Sequence, residues 1–434
     1  MRASSTSLRL SLGLALLGAL TQPIPALLPL WKLAIALFMT ALVMDWFNAR
    51  RPPPLEISRY LPRNLPLNVW NKVRLRFANN SRRRLLCNCH DLHPADFDSR
   101  GMPLQLALEA GQKVEAVYEV KPLKRGDGNF AGIDIELPSR WGLWLSKRQY
   151  QLPGQVKVYP NFAEVSHYIL LATDNRLSQL GIKQRLRRGD GNDFLQLREY
   201  RAGDSLRQID WKATSRIRKL ISREYQDERD QQIVFLLDCG RRMHHRANEL
   251  SLLDQTLNSM LLLAWVASEQ GDAVGFLSFA GIDRWFAPMK GQHTVNRLLN
   301  RVYDIHSSTN SADYMAAASR LLALQRKRSL VIILTNTRDE DSEDLQTAIR
   351  MLSTRHRVIL ADLQEEVLQQ IAQREVGSLD EALEYLAVDD YSNRRRLNHA
   401  QLRGKGAYVL DVTARQLPVA MVNQYLDLKR SAGI

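Results

Sequence analysis

Leu197–Arg216 reads LREYRAGDSLRQIDWKATSR and is followed by the apolar run Ile233–Leu237, IVFLL, which ends at Asp238. From this run onward, short apolar stretches alternate with amphipathic ones, a pattern typical of strands alternating with helices. The predicted strands are Ile233–Leu237, Ala273–Phe279, Leu330–Leu334, Val358–Ala361 and Tyr408–Val412. The predicted helices are Leu250–Ser268, Ala312–Gln325, Glu343–Ser353, Leu379–Leu386 and Pro418–Leu428. Apolar strands separated by helices predict an α/β fold with a doubly wound, mainly parallel sheet.

One further strand is predicted at the edge of this sheet. Ile282–Phe286 follows the Ala273–Phe279 strand after a short turn, so we predict that the two strands are antiparallel. No Gly-x-Gly-x-x-Gly or Walker-type phosphate loop follows any predicted strand. Nucleotide binding by this chain is therefore not expected.

The Leu197–Arg216 stretch carries closely spaced charges with two interpretations. Asp204 is placed to cap a helix over Ser205–Ser215, and Arg207 lies three residues from both Asp204 and Asp210, within pairing distance on a helix. In the first interpretation, buried ion pairs clamp this helix onto the edge of the sheet. In the second, a recognition or catalytic patch consists of Arg198, Glu199, Asp204, Arg207, Asp210 and Lys212. Without a histidine or serine beside them, these charges suit structure or partner docking better than acid–base chemistry.

The segment before this stretch predicts a second domain. Pro52–Pro54 forms a stiff linker, and residues 55–160 alternate short apolar stretches with turn residues, which predicts antiparallel strands in a small β-sandwich. Cys87 and Cys89 lie two apart, beside His90 and His93, but no second ligand pair accompanies them. We interpret them as two residues on one face of a strand in a protein of a reducing compartment.

The N-terminal residues 1–51 contain two apolar runs, Leu8–Leu20 and Leu30–Phe47, separated by Thr21–Pro25. Two runs of this kind around a proline-containing turn predict a transmembrane hairpin. Basic residues flank the hairpin at Arg2, Arg9, Arg50 and Arg51. Because positive charge marks the cytoplasmic side, both ends and the soluble domains are expected in the cytoplasm, at the inner membrane. A cleaved signal peptide is the competing interpretation, although the small-x-small cleavage pattern is missing.

The net positive charge of the chain indicates which classes of binding partner it suits. Lys and Arg number 60 against 46 Asp and Glu, a net charge of +14. Such an excess suits a membrane surface, an acidic protein partner or nucleic acid. No nucleic-acid-binding motif accompanies the charge, so no nucleic-acid partner is expected.

The order of the Leu197–Arg216 stretch and the strand ending at Asp238 resembles the signature of the bacterial domain-of-unknown-function 58 (DUF58) family, whose members carry a von Willebrand factor A-like domain. Lys124–Phe130 and Ser139–Leu143 look like the segment that precedes this domain in the family. The resemblance implies a connector over 161–231 and a von Willebrand A-like domain over 232–434. It also implies association with a MoxR-type AAA+ ATPase and a chaperone-like role in assembling other complexes.

The resemblance also raises the question of a metal site. A von Willebrand A-like domain holds its cation with Asp-x-Ser-x-Ser, a threonine from a second loop and an aspartate from a third. Here Asp238 is followed by Gly240 and Arg242 in place of the serines, Thr309 lies in the second loop, and Asn336 replaces the aspartate. A guanidinium repels a cation, so a divalent ion is not expected, although Asp238 remains its one candidate ligand. A partner-binding face is the better interpretation, with Asp238, Arg242, Thr309 and Asn336 at the strand ends.

The favoured hypothesis is a non-enzymatic, membrane-anchored adaptor or assembly factor that acts through protein–protein contacts. The alternative is a metal-dependent hydrolase or other enzyme that uses Asp238 with His244 and His245. No nucleophile with an obvious base supports this alternative. The predicted partner-binding residues are therefore the four at the strand ends and Arg198, Asp204, Arg207 and Asp210 of the Leu197–Arg216 stretch.

Overall fold

The computed structural model describes the chain except for residues 22, 162–192, 202–205, 227–230, 248, 292 and 431–434. The chain divides into two compact units, Met1–Tyr159 and Pro160–Ile434.

The first unit begins with two apolar helices, α1 (Ser5–Leu20) and α2 (Leu28–Arg50), which contain the two predicted apolar runs. Trp31 Nε1 on α2 donates a hydrogen bond of 2.9 Å to the carbonyl of Leu14 on α1. Helix α2 has 23 residues and a mean hydropathy of 1.6, and within the described residues it is the helix long and apolar enough to cross a membrane. Helix α1 is apolar but has 16 residues, about 24 Å at 1.5 Å per residue.

The start of α1 and the last turns of α2 meet the same loop, Ser139–Leu143. The Ser4 amide donates to the Leu143 carbonyl at 2.9 Å. The buried Asp45 carboxylate on α2 accepts hydrogen bonds from the Trp141 amide at 3.1 Å and the Leu143 amide at 3.2 Å, and from the Ser139 hydroxyl. The N-terminal end of α1 and the C-terminal part of α2 are therefore both hydrogen-bonded to the Ser139–Leu143 loop.

The rest of the first unit consists of strands in two sheets. In chain order the strands are β1 (Arg2–Ala3), β2 (Leu55–Tyr60), β3 (Asn64–Pro66), β4 (Asn71–Asn79), β5 (Leu85–Asp91), β6 (Phe97–Arg100), β7 (Leu104–Leu108), β8 (Lys113–Pro122), β9 (Gly126–Pro138) and β10 (Trp144–Tyr159). One sheet has the order β1-β10-β9-β5-β7 with β3 beside β10, and the other has the order β2-β4-β8-β6. Most neighbours are antiparallel, as predicted, and Cys87 and Cys89 are buried on one face of β5.

A buried ion pair joins these two sheets. Arg59 on β2 pairs with Asp91 on β5, and both side chains are shielded from solvent. The guanidinium also donates to the Leu152 carbonyl at 2.6 Å and the Gly132 carbonyl at 3.0 Å, and the Tyr118 hydroxyl donates to Asp91 at 2.5 Å. Each polar group of this network has a hydrogen-bond partner. The two opposite charges can therefore be buried between the sheets without leaving a donor unpaired.

The second unit opens with a two-stranded antiparallel ribbon, β11 (Asp193–Glu199) and β12 (Ile221–Gln226). A six-stranded sheet follows, with the order β17-β16-β13-β18-β19-β20. Its strands are β13 (Gln232–Asp238), β16 (Ala273–Phe279), β17 (Trp285–Met289), β18 (Leu330–Thr335), β19 (Arg357–Gln364) and β20 (Ala407–Thr413), and a short hairpin is formed by β14 (Arg246–Ala247) and β15 (Leu250–Ser251). All neighbours in the six-stranded sheet are parallel except β16 and β17. The predicted sheet and its antiparallel edge strand are therefore present.

Helices cover both faces of this sheet. The described helices of the second unit are α3 (Trp211–Ile217), α4 (Leu252–Glu269), α5 (Thr294–Val302), α6 (Tyr314–Leu324), α7 (Ser342–Ser353), α8 (Glu366–Gln373), α9 (Leu379–Gly404) and α10 (Leu417–Arg430). One core contains side chains from α4, α5 and α10, and the other contains side chains from α6, α7 and α9. Alternate residues of β13, such as Phe235 and Leu236, enter opposite cores, which explains why its sequence is apolar throughout.

Three predictions of the elements need correction. Helix α9 continues 18 residues beyond the predicted end at Leu386, because its second half faces inward with Arg395 and His399 and so lacks an apolar periodicity. Helices α5 and α8 were not predicted; they are 9 and 8 residues long, close to the short end of the range that sequence patterns indicate. Strand β17 begins at Trp285, so the predicted Ile282–Phe286 strand is displaced along the chain.

The buried Arg59–Asp91 pair should be necessary for the stability of the first unit. Replacing Arg59 with alanine leaves Asp91 charged and buried, which is expected to lower the free energy of unfolding by about 3–5 kcal/mol. Arg76→Ala is the matched control, because Arg76 and Glu115 form an exposed pair in the same sheet, and its effect should be small. Urea unfolding of the detergent-solubilised chain measures both; equal effects would show that the Arg59 network is not a stabilising feature.

Candidate functional site

The candidate site lies where the parallel strands end. Strands β13, β18 and β19 are neighbours, and their carboxyl ends carry Asp238, Thr335 and Asp362. Open α/β sheets bind ligands at this edge, because the loops that follow the strands converge there. Three of the four residues predicted at the strand ends, Asp238, Arg242 and Asn336, are at least partly buried, and Thr309 is exposed.

Asp238 is buried, and both of its carboxylate oxygens are engaged. The Gly240 amide donates to Oδ1 at 2.7 Å, and the Thr335 hydroxyl donates to Oδ2 at 2.7 Å. Thr335 Oγ1 also lies 2.8 Å from the Tyr314 hydroxyl. Burial raises the pKa of the Asp238 carboxyl, while the two hydrogen bonds and the charge of Arg242 oppose that rise. Thr335 and Tyr314 were not among the predicted site residues.

Arg242 does not pair with Asp238. It lies in the 3-10 turn Arg241–His244, and its guanidinium forms ion pairs with Asp341 and Glu340, from the loop and turn before α7. Arg241 reaches the same Glu340 at 3.2 Å. The charge of Arg242 therefore acts on Asp238 only through space.

Asn336 and Thr309 differ in exposure. Asn336 is buried; its Nδ2 lies 3.4 Å from Glu365 Oε1, and its Oδ1 is buried without a hydrogen-bond partner. Thr309 is exposed and lies between Ser308, whose amide donates to the Cys239 carbonyl at 2.7 Å, and Asn310. Asn336 Oδ1 is thus a buried polar atom of this site to which no described group donates a hydrogen bond.

The residues present do not fit a conventional divalent-cation site. A hard cation needs several converging oxygens, whereas both Asp238 oxygens accept hydrogen bonds and a guanidinium stands nearby. Gly240 cannot be replaced by the serine of the family pattern without a shift, because a Cβ there would lie 2.9 Å from the Asn310 carbonyl oxygen. In the part of the chain that the structure describes, no group of three or more His, Cys, Asp or Glu residues is arranged to hold a metal.

A second buried charge cluster lies next to this site and was missed by the sequence analysis. Asp362 on β19 accepts hydrogen bonds from the Thr337 amide at 2.8 Å, the Thr337 hydroxyl at 2.6 Å and His399 Nε2 at 2.8 Å. Arg395 lies 2.9 Å from Asp362 and 3.0 Å from Asp411 on β20. The available signal was the spacing of Tyr391, Arg395 and His399 at four-residue intervals, which places them on one face of α9.

Arg395 and His399 of this cluster lie on the floor of a small, open pocket. Its walls come from the Thr337–Asp339 loop, from Ser342 and Leu345 at the start of α7, and from α9. Arg338 lies over the ring of Tyr391 at 5.1 Å and pairs with Glu365. The polar groups on the floor are bonded to each other, so the pocket is lined by a rigid, satisfied network.

The electrostatics of the cluster favour the protonated form of His399. Burial alone would lower the pKa of His399, but the hydrogen bonds to Asp362 and Asp411 outweigh it and raise that pKa above its ordinary value of 6.5. Burial would also raise the pKa of the Asp411 carboxyl, but His399 and Arg395 outweigh it and lower that pKa. Asp362 and Asp411 therefore lie between the Arg395 guanidinium and an imidazole whose pKa is raised.

The Leu197–Arg216 stretch differs from its prediction. Helix α3 begins at Trp211, and its N-cap is Asp210, which accepts from the Ala213 amide at 3.0 Å; the predicted helix over Ser205–Ser215 is therefore wrong in its start. Asp210 also pairs with Arg223 on β12 at 2.9 Å. Asp210 is the N-cap because it has an extended backbone and directly precedes the first helical residue, Trp211.

The remaining charges of this stretch are exposed or half-buried where they are described. Glu199 and Lys219 form an exposed pair at 2.7 Å, and Arg198 donates to the Glu199 carbonyl at 3.2 Å. Asp204 and the side chain of Arg207 lie outside the described residues. The described pairs thus do not bear out a clamp of buried ion pairs, and the predicted patch is not brought together with Asp238 by any described bond.

The histidines of the alternative hypothesis lie just beyond Asp238. His244 is exposed, and its Nδ1 lies 2.9 Å from the Ser307 hydroxyl; His245 is exposed as well. The bonds of Asp238 go to Gly240 and Thr335, so the described contacts do not join Asp238 to His244.

The second unit is thus an α/β domain with a charged edge at the ends of its parallel strands. Residues 196–405 match the family model described as "Protein of unknown function DUF58", and this match supports membership of the DUF58 family. It covers β12 and the sheet up to the end of α9. No curated protein matches the chain.

Several solved structures resemble limited parts of the chain. They include a FixG-related protein from Vibrio parahaemolyticus, with 15% identity, coverage of 25% of this chain and 98% of that chain, and a TM-score of 0.19. A Salmonella alpha-2-macroglobulin has 18% identity, coverage of 24% and 7%, and a TM-score of 0.20. A PapD-like domain of human CEP192 has 18% identity, coverage of 24% and 88%, and a TM-score of 0.19. Similarities this weak carry no conclusion about fold or function.

The raised pKa of His399 should make stability depend on pH. The stabilisation by protonated His399 is fully present below the unfolded pKa of about 6.5 and is lost as the pH rises through the higher folded value. We therefore expect His399→Gln to lower the free energy of unfolding more at pH 6 than at pH 8.5.

His356→Gln is the control of opposite sign. Burial lowers the pKa of His356, so its neutral form stabilises the fold above about pH 6.5, and that contribution is lost as the pH falls. Urea unfolding from pH 5.5 to 8.5 measures both variants against the unmodified chain. Parallel pH profiles for the two variants would contradict the proposed protonation of His399.

We expect no saturable binding of magnesium or calcium at the strand ends, because Asp238 is already hydrogen-bonded and Arg242 adds positive charge. Calorimetric titration of the full chain in detergent checks this, with Asp238→Ala as the comparison. A saturable heat of one ion per chain that Asp238→Ala removes would contradict it.

Proposed function

We propose that this protein is a non-enzymatic, membrane-anchored adaptor that docks a partner protein at the carboxyl edge of its six-stranded sheet. The proposed partner is a MoxR-type AAA+ ATPase, and the proposed role is the assembly of other complexes at the inner membrane. This partner and role rest on the resemblance to the DUF58 family, which the match over residues 196–405 supports.

The observation that carries the proposal is the charge pairing along the carboxyl edge. Arg241 and Arg242 pair with Glu340 and Asp341, and Arg338 pairs with Glu365. The outer members of this row, Arg241 and Glu340, are more than half exposed. A row of partly exposed, oriented charges suits electrostatic recognition of a protein surface, since such charges set specificity and association rate. A catalytic centre would need a reactive group beside its base, and Asp238 is instead fully hydrogen-bonded.

We propose a von Willebrand A-like fold for the second unit. The strand order β17-β16-β13-β18-β19-β20, in which β17 is antiparallel, supports this assignment. So does the position of Asp238 at the end of the first strand of the sheet, where the family pattern has its leading aspartate. In this chain that aspartate would position the edge through Thr335 and Gly240 rather than bind a cation.

We also propose that α1 and α2 form a transmembrane hairpin with both ends in the cytoplasm. The length and composition of α2 support one span. Its contact with α1 through Trp31 and Leu14, and the meeting of Ser4 and Asp45 with the Ser139–Leu143 loop, support a return of the chain to the same side.

Binding of the purified MoxR-type ATPase from the same host to the full chain in lipid nanodiscs tests the proposal. Arg241→Glu places a negative charge beside Glu340, so it should weaken binding about tenfold, or 1.4 kcal/mol, at low salt and less at high salt. The measurement is a binding isotherm at two salt concentrations.

Arg328→Glu is the matched control, since Arg328 is an exposed arginine before β18, at the opposite edge of the sheet. It should change the affinity less than twofold. Failure of the unmodified chain to bind the ATPase would reject the proposed partner, and equal losses in the two variants would reject the carboxyl edge as the docking surface.

A further inference from the structure

Helix α9 has a buried face and, opposite it in its first turns, an exposed apolar face. Its 26 residues bury Val388, Arg395, His399 and Leu402 on one side. At 3.6 residues per turn, Leu379, Leu383 and Leu386 lie together on the opposite side. Their exposed fractions are 76%, 58% and 61%. We call these three leucines the α9 stripe. Their spacing of four and three residues is that of the anchors with which a helix enters a groove on another protein.

The α9 stripe stands beyond the carboxyl edge of the sheet. Arg395 donates to the Leu363 carbonyl at 3.3 Å and pairs with Asp362, so this part of α9 lies level with the end of β19. The helix leads to the start of β20, which is parallel to β19, so α9 runs in the opposite direction to the strands. Leu379 precedes Arg395 by 16 residues, or about 24 Å at 1.5 Å per residue. The first turns of α9 therefore extend past the edge that carries Arg241 and Glu340.

Residues at the start of α9 and just before it hold these first turns in place. The Ser378 hydroxyl caps α9 by accepting from the Glu381 amide, and Glu381 accepts from the Gly377 amide at 2.8 Å and pairs with Arg374 at the end of α8. These bonds fix the start of the helix through residues that are not in the stripe. The three leucines therefore lie exposed on a helix whose start is stabilised by other residues.

The segment of α9 that carries the stripe is acidic, whereas the chain as a whole is basic. Residues 379–390 contain five acidic residues and no Lys or Arg, whereas the whole chain has a net charge of +14. The acidic residues are Asp380, Glu381, Glu384, Asp389 and Asp390. Glu381 pairs with Arg374, and Asp390 pairs with Arg394. At about 100° per residue, Asp380 and Asp389 lie on either side of the stripe. An anionic lipid surface would repel these two acidic side chains, and an apolar surface without positive charge would offer them no opposite charge. Charge complementarity therefore selects an apolar groove rimmed by Lys and Arg.

We propose that the α9 stripe inserts into an apolar groove with a basic rim on the partner protein that the carboxyl edge docks. This inference rests on the proposed function and assigns the apolar anchor of the same contact. The stripe supplies burial of leucine side chains, and the acidic residues beside it set orientation and rate.

The test compares two pairs of substitutions in the full chain in lipid nanodiscs, with the purified MoxR-type ATPase as the probe. Leu383→Ser with Leu386→Ser should weaken binding at least tenfold, with little change with salt, because it removes apolar contact. Asp380→Lys with Asp389→Lys should weaken binding about as much at low salt and much less at high salt. Leu397→Ser is the matched control: Leu397 is 66% exposed on the same side of α9 but lies between Arg396 and Asn398, outside the acidic turns. It should change the affinity less than twofold.

Unchanged affinity in the stripe variant, while Arg241→Glu still weakens binding, would overturn this inference and leave the proposed function in place. If the unmodified chain does not bind the ATPase, the proposed partner fails, and a photo-crosslinking amino acid at position 383 in host cells decides the inference separately. An adduct with another protein whose yield falls with Asp389→Lys and not with Leu397→Ser supports it. An adduct with lipid, an adduct with a second copy of the chain, or no adduct overturns it.

Discussion

Two carboxylates buried at one edge of a sheet constrain most of what surrounds them. Asp238 and Asp362 lie on the strands that flank β18, and each must be met by donors, since an unpaired buried charge costs several kcal/mol. The end of β18 and the residues after it supply hydrogen-bond donors to both carboxylates. Thr335 donates to Asp238, and Thr337 donates to Asp362. Arg395 and His399 complete the second carboxylate's shell. The position of α9 follows from that requirement.

The same requirement shapes the proposed docking surface. Because Arg395 fixes α9 at the level of the strand ends, the turns before it must extend past the sheet. Arg242 is held at the same edge by Asp341 and Glu340. A rigid, internally paired edge beside a protruding acidic and apolar helix is better suited to recognising a surface than to changing a bond.

Much of the fold could be predicted, and the failures have physical causes. Strands β13, β16 and β18 are apolar throughout because both of their faces are buried, so their positions were predicted within one residue. The second half of α9 was missed because its inward face carries Arg395 and His399, which resemble surface residues in a sequence pattern. The start of α3 was misplaced because Asp204 and Asp210 are equally good capping residues and only the backbone selects Asp210.

The sequence alone determined the strand and helix alternation, the apolar N-terminal runs, and the presence of Gly240 and Arg242 after Asp238, because periodicity and residue type are local properties. Only the tertiary structure decided which charges meet. Arg242 pairs with residues 98 and 99 positions away, and Asp362 meets His399 across 37 positions. Such pairings depend on how strands and helices pack in three dimensions, and no spacing along the chain encodes them.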